Sequence, residues 1–448
     1  MKKIQNFTEG PIFGPLVKFA LPVLFALFLQ TMYGAVDLLI VGQFGTSADV
    51  SAVSTGSQIM NTITIVVTSL AMGLTILVGR KIGAGEEEEA GEIIGSGICL
   101  FAVIGTVISV VMVLMAKPVA AVMHAPVEAF DKTVSYVVIC SAGTLFIVAY
   151  NLLGSIFRGI GDSKMPLITV MIACGMNIVG DLVLIAGLHM GTAGAAIATV
   201  FAQGFSVVLS ILIIRRKKLP FHFTRHHIRF HKGYISKTLA LGIPIALQEL
   251  LVSISFLVIT AIVNGMGLTA SAGVGVAQKL CGFLMLVASA YMQSMSAFVA
   301  QNIGAGRADR ARRALWCGVG SSLAVGAVMC VVTFFYGDKM AGIFARDPEV
   351  ILAAYDYLKA YAVDCIFTAF LFCFIGYFNG CSCTVFVMCQ GIIGAFGVRL
   401  PVSWIMSRQA WASLFHIGLA TPASTVVQII LCGIYFSHLR KRQKREVA

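Results

Sequence analysis

Charged positions are absent from long stretches of this chain, and the apolar runs between them repeat along its whole length. Nine windows, 50–79, 93–116, 133–157, 182–214, 250–278, 280–306, 314–337, 365–398 and 409–439, contain no Lys, Arg, Asp or Glu. A bilayer crossing needs roughly 20 mostly apolar residues in a helix. Cutting the runs at turn and charge signals predicts twelve helices, near 15–41, 50–78, 93–116, 133–157, 165–187, 191–214, 238–263, 268–300, 314–337, 353–378, 385–406 and 413–438. A membrane β-barrel is excluded, because its strands would read as segments of about 10 residues alternating in polarity. The expected fold class is therefore all-α and integral to the membrane.

Composition agrees with that pattern. Of 448 residues, 58% are hydrophobic and 12% charged, against about 25% charged in soluble chains, so a water-facing surface could not be clothed in polar groups. Met1-Lys2-Lys3 is a weak basic start before an apolar run of full span length, and no cleaved leader is expected. The net charge of +12 does not point to nucleic acid, because the basic residues gather between spans. Segment 215–237 holds Arg215, Arg216, Lys217, Lys218, Arg225, Arg229, Lys232 and Lys237 without an acid, and Arg440, Lys441, Arg442, Lys444 and Arg445 close the chain. Both regions read as cytoplasmic, as do Arg307, Arg310, Arg312 and Arg313, and an even number of spans puts both termini on that side. The acidic run Glu86 to Glu89 on the same side stands out, although acids contribute little to orientation. His222, His226, His227 and His231 in the basic segment are spaced to gather a metal if helical, but a solvated linker touching anionic headgroups needs no extra assumption. The twelve cysteines, including Cys381, Cys383 and Cys389, read as small apolar fillers rather than a disulfide or zinc framework.

The chain also repeats itself at an offset of 221 to 222 residues. Pro22 recurs as Pro244, Ile82-Gly83-Ala84-Gly85 as Ile303-Gly304-Ala305-Gly306, Pro126 as Pro348, and Phe157-Arg158-Gly159 as Phe378-Asn379-Gly380. A period of six helices makes both halves enter the membrane in the same direction, so the expected architecture is two six-helix lobes related by an axis along the membrane normal. The predicted divisions are an N-lobe at 1–214, a basic linker at 215–237 and a C-lobe at 238–448. Parallel repeats of this kind are a transporter architecture in which substrate sits between halves and access alternates. The Gly-x-Gly pairs are read as tight turns closing two helices, not as phosphate-binding loops, since no strand precedes them and no Lys-Ser/Thr follows.

Ionisable groups at bilayer depth are costly and mark functional sites. Asp37 lies late in the first span and Asp181 about two thirds along the fifth, at similar depth, and no Lys or Arg in spans 1, 2, 5 or 6 is placed to neutralise them. Asn177 stands one turn from Asp181 on the same face, and Thr199 comes to a similar level in span 6. Such hard oxygen ligands suit Na⁺ or hold a proton. The competing reading makes Asp37 a cap of its span and bonds Asp181 to a neighbouring backbone. The second half carries both signs: Glu249 is expected to pair with Lys279, and Asp364 with Arg399, as structural pairs or gates.

Taken together, these residues resemble the multidrug and toxic compound extrusion (MATE) transporters. The resemblance is carried by Leu21-Pro22, Val36-Asp37 with Val41-Gly42-x-x-Gly45, Gly83-Ala84-Gly85, Arg158-Gly159-x-Gly161-Asp162, Asn177 with Asp181, Gln301-Asn302-x-Gly304-Ala305-Gly306 and Arg399-Leu400-Pro401. It implies an N-lobe cation site of Asp37, Asn177, Asp181 and Thr199, with Asn151 added from span 4, and an acidic position in span 7 at Glu249. It further implies export of amphiphilic, often cationic, compounds driven by inward H⁺ or Na⁺, with no other cofactor. Asn379 replaces the arginine that symmetry with Arg158 would place there, and Asp364 sits about a turn from the acid of some branches, so coupling is expected in the first lobe. A lipid-linked precursor flippase of the same superfamily is the nearest rival, and a membrane-embedded transferase a remote one. The expected setting is the bacterial cytoplasmic membrane, with small-molecule substrates and lipids as partners, no nucleic acid, and a monomeric state.

Overall fold

The computed structural model describes residues 7–216 and 223–447. The described residues form fifteen α-helices: α1 Phe13–Phe44, α2 Ser47–Ala84, α3 Glu87–Val122, α4 Val127–Ala142, α5 Thr144–Ile160, α6 Lys164–Asp181, α7 Gly191–Arg216, α8 Lys232–Asn264, α9 Leu268–Gly304, α10 Ala308–Ala341, α11 Pro348–Gly380, α12 Thr384–Ile392, α13 Leu400–Ser407, α14 Leu414–Gly418 and α15 Ala420–Val447. Eleven stretches are long and apolar enough to span a bilayer, and the bent pair α4 and α5 makes twelve. This is a multi-pass membrane protein. Its exposed stripes, such as Val103, Val107, Val110 and Leu114 on α3, would be a liability in water and are suited to lipid.

Local chemistry sets the helix ends. Thr46 opens α2 in a capping box with Asp49, and Gly85, at φ 77°, closes it by donating back to the carbonyls of Ile82 and Lys81. Asp347 caps α11, with Pro348 at its first turn. The fourth span departs from the single straight helix expected over 133–157: it starts at Val127 and bends by 54° at Gly143. A side chain at Gly143 would meet Val200 of α7 at 2.3 Å, so the break accompanies a close approach that hydropathy does not encode. Spans 5 and 11 each contain a π-helical turn, Leu182–Gly187 and Ile393–Arg399. Such turns recur at functional sites, and these two adjoin Asp181 and end on Arg399.

The chain divides into two compact units. Unit 1 comprises Val17–Ala246, the described residues up to Gly10, and Ala300–Arg307. Here α2 packs on α3, α4, α5 and α7, with Val67, Leu74, Val78, Phe101, Leu152 and Ile156 in its core. Unit 2 comprises Pro11–Leu16, Leu247–Val299 and the chain from Ala308 on. In it α11 packs on α10, α12, α14 and α15, around Val263, Val274, Tyr357, Tyr361 and Ile417.

The acidic run after α2 finds its counter-charges within unit 1. Lys81 pairs with Glu86 and Glu89, and Arg229 reaches Glu92 at 2.6 Å. Arg229 belongs to the described part of the basic linker, which lies against α3 so closely that a side chain at Gly95 would strike the His227 carbonyl. The linker is shorter than expected, because α8 begins at Lys232. Among the described residues no group of three His, Cys, Asp or Glu is placed to hold a metal, and His222 lies outside them. Gly306, at φ 70°, ends α9 as Gly85 ends α2. The preceding glycines do something else: side chains at Gly83 and Gly304 would each sit 1.9 Å from a backbone carbonyl, of Gln301 and Arg80 respectively, so both are needed for close backbone approach.

Candidate functional site

Asp37 and Asp181 meet inside unit 1. Asp37 projects from α1 and is 4% exposed, while Asp181, the last residue of α6 before the π-helical turn, is fully buried. Their carboxyl groups face each other at hydrogen-bond range. Neither oxygen of Asp181, nor Oδ1 of Asp37, receives a donor from a described residue. Two facing acceptors need something between them. Like charges about 4 Å apart repel by about 4 kcal/mol at an effective dielectric of 20, and a shared proton or a cation ligated by both carboxylates is the chemistry that would satisfy such a pair.

The neighbours supply oxygen and an apolar wall. Asn177, one turn earlier on α6 and 1% exposed, donates Nδ2 to the Thr199 hydroxyl at 3.4 Å and leaves its buried Oδ1 without a donor. That link depends on tight packing of α6 on α7, where a side chain at Gly180 would come within 2.9 Å of Ala198. Ile40, Val41, Val53, Ile147, Ile185 and Ala195 surround the level of the acids and exclude water. No Lys or Arg lies within ion-pair distance of either acid among the described residues.

Asn151 is otherwise engaged. Its Oδ1 accepts from the Thr68 hydroxyl at 3.0 Å and its Nδ2 donates to the Ile147 carbonyl at 2.8 Å, so its polar atoms serve α2 and its own helix. Residues the sequence reading did not single out stand near Asp37 instead. Tyr33 lies one turn before it, and Tyr136 with Cys140 of α4 come within electrostatic reach. Helical spacing alone could have flagged Tyr33, but nothing in the sequence marks Tyr136, whose ring lies against Gly56 of α2.

A third buried carboxylate in unit 1 carries no mark in the sequence. Asp49, 5% exposed, accepts from Lys132 Nζ at 2.8 Å, the Thr192 hydroxyl at 2.7 Å, and the hydroxyl and backbone N–H of Thr46 at 2.6 and 2.9 Å. This satisfied carboxylate ties α2, α4 and the start of α7, in contrast to the unsatisfied pair.

In unit 2 the expected ion pairs do not form. Lys279 points to the exterior of its unit and Glu249 is half-buried, with no bond between them. Asp364, 2% exposed, accepts from the Thr368 hydroxyl at 2.9 Å. Arg399 donates to Ser255 Oγ at 3.1 Å and lies 4.4 Å over the Phe256 ring. Asp364 and Arg399 feel each other's charge without contact, since each turns to neighbours on its own side, and Asp364 Oδ1 and Arg399 Nε are left buried without a partner among the described residues. Both units thus hold buried acids without an ion-pair partner, but only in unit 1 do two carboxyl groups face each other.

Comparison with known proteins sets this geometry in context. The MatE family model matches residues 22–183 and again 244–405, which is the internal repeat. The chain is 24% identical to "Probable multidrug resistance protein YoeA" of Bacillus subtilis (strain 168), over 98% of its length and 96% of the relative. It is likewise 24% identical to "Multidrug export protein MepA" of Staphylococcus haemolyticus (strain JCSC1435), covering 91% and 89%. Among solved structures, a MATE crystal structure in complex with MaL6 superposes with a TM-score of 0.91 at 19% identity, over 98% and 100% of the chains. The crystal structure of the Vibrio cholerae MATE transporter VcmN in the bent form does so with 0.88 at 18% identity, over 96% and 97%.

Proposed function

The chain belongs to the MatE family of efflux transporters, and from that premise we propose that it exports multiple drugs in exchange for a proton or Na⁺ taken up at Asp37 and Asp181. The observation that carries the coupling role is the facing pair of buried carboxyls without a protein donor. When both are ionised, repulsion drives α1 and α6 apart. A proton or cation between them draws the two helices together and changes the packing of unit 1. Asn177 adds an uncommitted carbonyl oxygen to the same face, and Thr199 fixes its orientation. The relatives' names support drug export, and the unpaired carboxyls Asp37 and Asp181 favour amphiphilic cations as the exchanged compounds. The reading places the protein in the bacterial cytoplasmic membrane as a monomer with both termini inside, in keeping with its basic loops.

The test is ethidium efflux from vesicles containing the full chain, with pH and Na⁺ gradients imposed separately, wild type beside Asp37→Asn and the Asp37→Asn/Asp181→Asn double variant. Efflux that follows one gradient and disappears in both variants, with folded protein retained, is the expected result. Gradient-driven efflux by the double variant sinks the assignment.

A further inference from the structure

Below the acid pair, a lane of polar groups, half-buried at Tyr33, Gln30 and Arg158, runs through unit 1 and ends on a cation. On α1, Asp37, Tyr33 and Gln30 share one face at steps of four and three residues. Gln30 Nε2 donates to the Tyr150 hydroxyl of α5 at 3.4 Å. On α5, Tyr150, Gly154 and Arg158 follow at steps of four. The Arg158 side chain folds back over Gly154, whose missing Cβ would lie 3.3 Å from Nη1. At about 1.5 Å per residue, the lane descends roughly 10 Å along α1 and roughly 12 Å along α5. It leads to the side on which α1 begins.

Arg158 has no acid partner there. Its Nη2 donates to Ser155 Oγ at 2.8 Å, its buried Nε has no acceptor, and no carboxylate of a described residue lies within ion-pair distance. A guanidinium is permanently charged, so holding it half-buried, with Nε buried and no counter-charge, carries a desolvation cost unless the charge itself has a use. The repeat points the same way. The half that holds the facing pair of acids carries the arginine, while the other half, where no two carboxyl groups meet, has Asn379 at the matching position.

We propose that Arg158 is an electrostatic barrier at the end of this lane. It prevents the ion held by Asp37 and Asp181 from leaking through unit 1, so that ion movement stays tied to the transport cycle. A positive residue set across a polar path excludes protons and cations in the same way in selective channels. The inference rests on the reading of the acid pair as the coupling site.

The test uses the full chain in liposomes without drug. Dissipation of an imposed pH gradient and, separately, of a Na⁺ gradient is followed with lumenal indicator dyes, for wild type, Arg158→Gln, Arg158→Lys, and Arg158→Gln combined with Asp37→Asn. Arg158→Gln is expected to raise drug-free leak of the coupling ion on the order of tenfold, Arg158→Lys to stay tight, and the added Asp37→Asn to abolish the leak. If Arg158→Gln does not fold, Gly154→Asp decides, since it sets a neutralising carboxylate beside the intact guanidinium and is expected to leak likewise. A tight Arg158→Gln or Gly154→Asp vesicle, or a leak that survives Asp37→Asn, overturns the barrier. Gradient-driven ethidium efflux by Asp37→Asn alone, run in parallel, would instead overturn the coupling reading beneath it.

Discussion

Replacing Asp181 by Asn should make the protein more stable under the one condition in which its wild-type site is empty of proton and cation. In Na⁺-free buffer at high pH both carboxylates are ionised, face each other, and have no protein donor on three of their four oxygens. Contact repulsion is about 4 kcal/mol at an effective dielectric of 20, and relaxation of α1 away from α6 will recover part of it. A net gain of about 1–3 kcal/mol for Asp181→Asn is therefore expected, since an amide of the same shape can donate to Asp37. For a chain of this size that is a rise of a few degrees, at roughly 2 °C per kcal/mol. The assay is thermal unfolding in detergent, wild type beside variant, across pH and Na⁺ concentration. Wild type should gain stability as pH falls or, if Na⁺ is the coupling ion, as Na⁺ rises, with about 2.7 kcal/mol gained at 100-fold over the dissociation constant. The variant should respond to neither. The sign follows from the proton or cation being bound in the folded pair and not in the unfolded chain, so wild-type stability is present at low pH and lost as pH rises. A variant less stable than wild type at high pH, or one that keeps the ion response, would refute the reasoning.

Other substitutions test the framework. Ser382→Gly should stabilise by about 1 kcal/mol in thermal unfolding, because Ser382 sits at φ 63° with a buried hydroxyl that has no partner. Ala at Gly83 or Gly304 places a methyl 1.9 Å from a backbone carbonyl and should cut folded yield on size-exclusion chromatography, while Gly175→Ala, with open space around it, should not. Asp49→Asn should destabilise by about 3 kcal/mol, since it weakens a buried carboxylate that anchors three helices. Lys132→Met should cost about 1 kcal/mol, because the lysine side chain is 41% exposed and water screens its share.

Much of the site was legible in the sequence as an anomaly of charge. Asp37 and Asp181 stood out because lipid tolerates no ionised group without a reason, and Asn177 followed from helical spacing. The pairs Glu249 with Lys279 and Asp364 with Arg399 were misread for a physical reason: opposite signs at similar depth make contact only if both helices turn those faces together. Here Arg399 turns to Ser255 and Phe256 instead, and Asp364 to Thr368. Asp49 escaped notice because it sits at the start of a span, where a carboxylate is an ordinary cap, and its long-range partners Lys132 and Thr192 belong to other spans.

Span number, span length and the duplicated six-helix plan follow from sequence alone, because a bilayer forces every crossing to be a continuous apolar helix and repeats leave their spacing in the chain. The bend at Gly143, the π-helical turns and the meeting of Asp37 with Asp181 do not. They depend on helix rotation and on where small residues let backbones approach, as at Gly143 with Val200 and Gly180 with Ala198. Hydropathy reports how deep a residue lies, and only packing decides which way it faces.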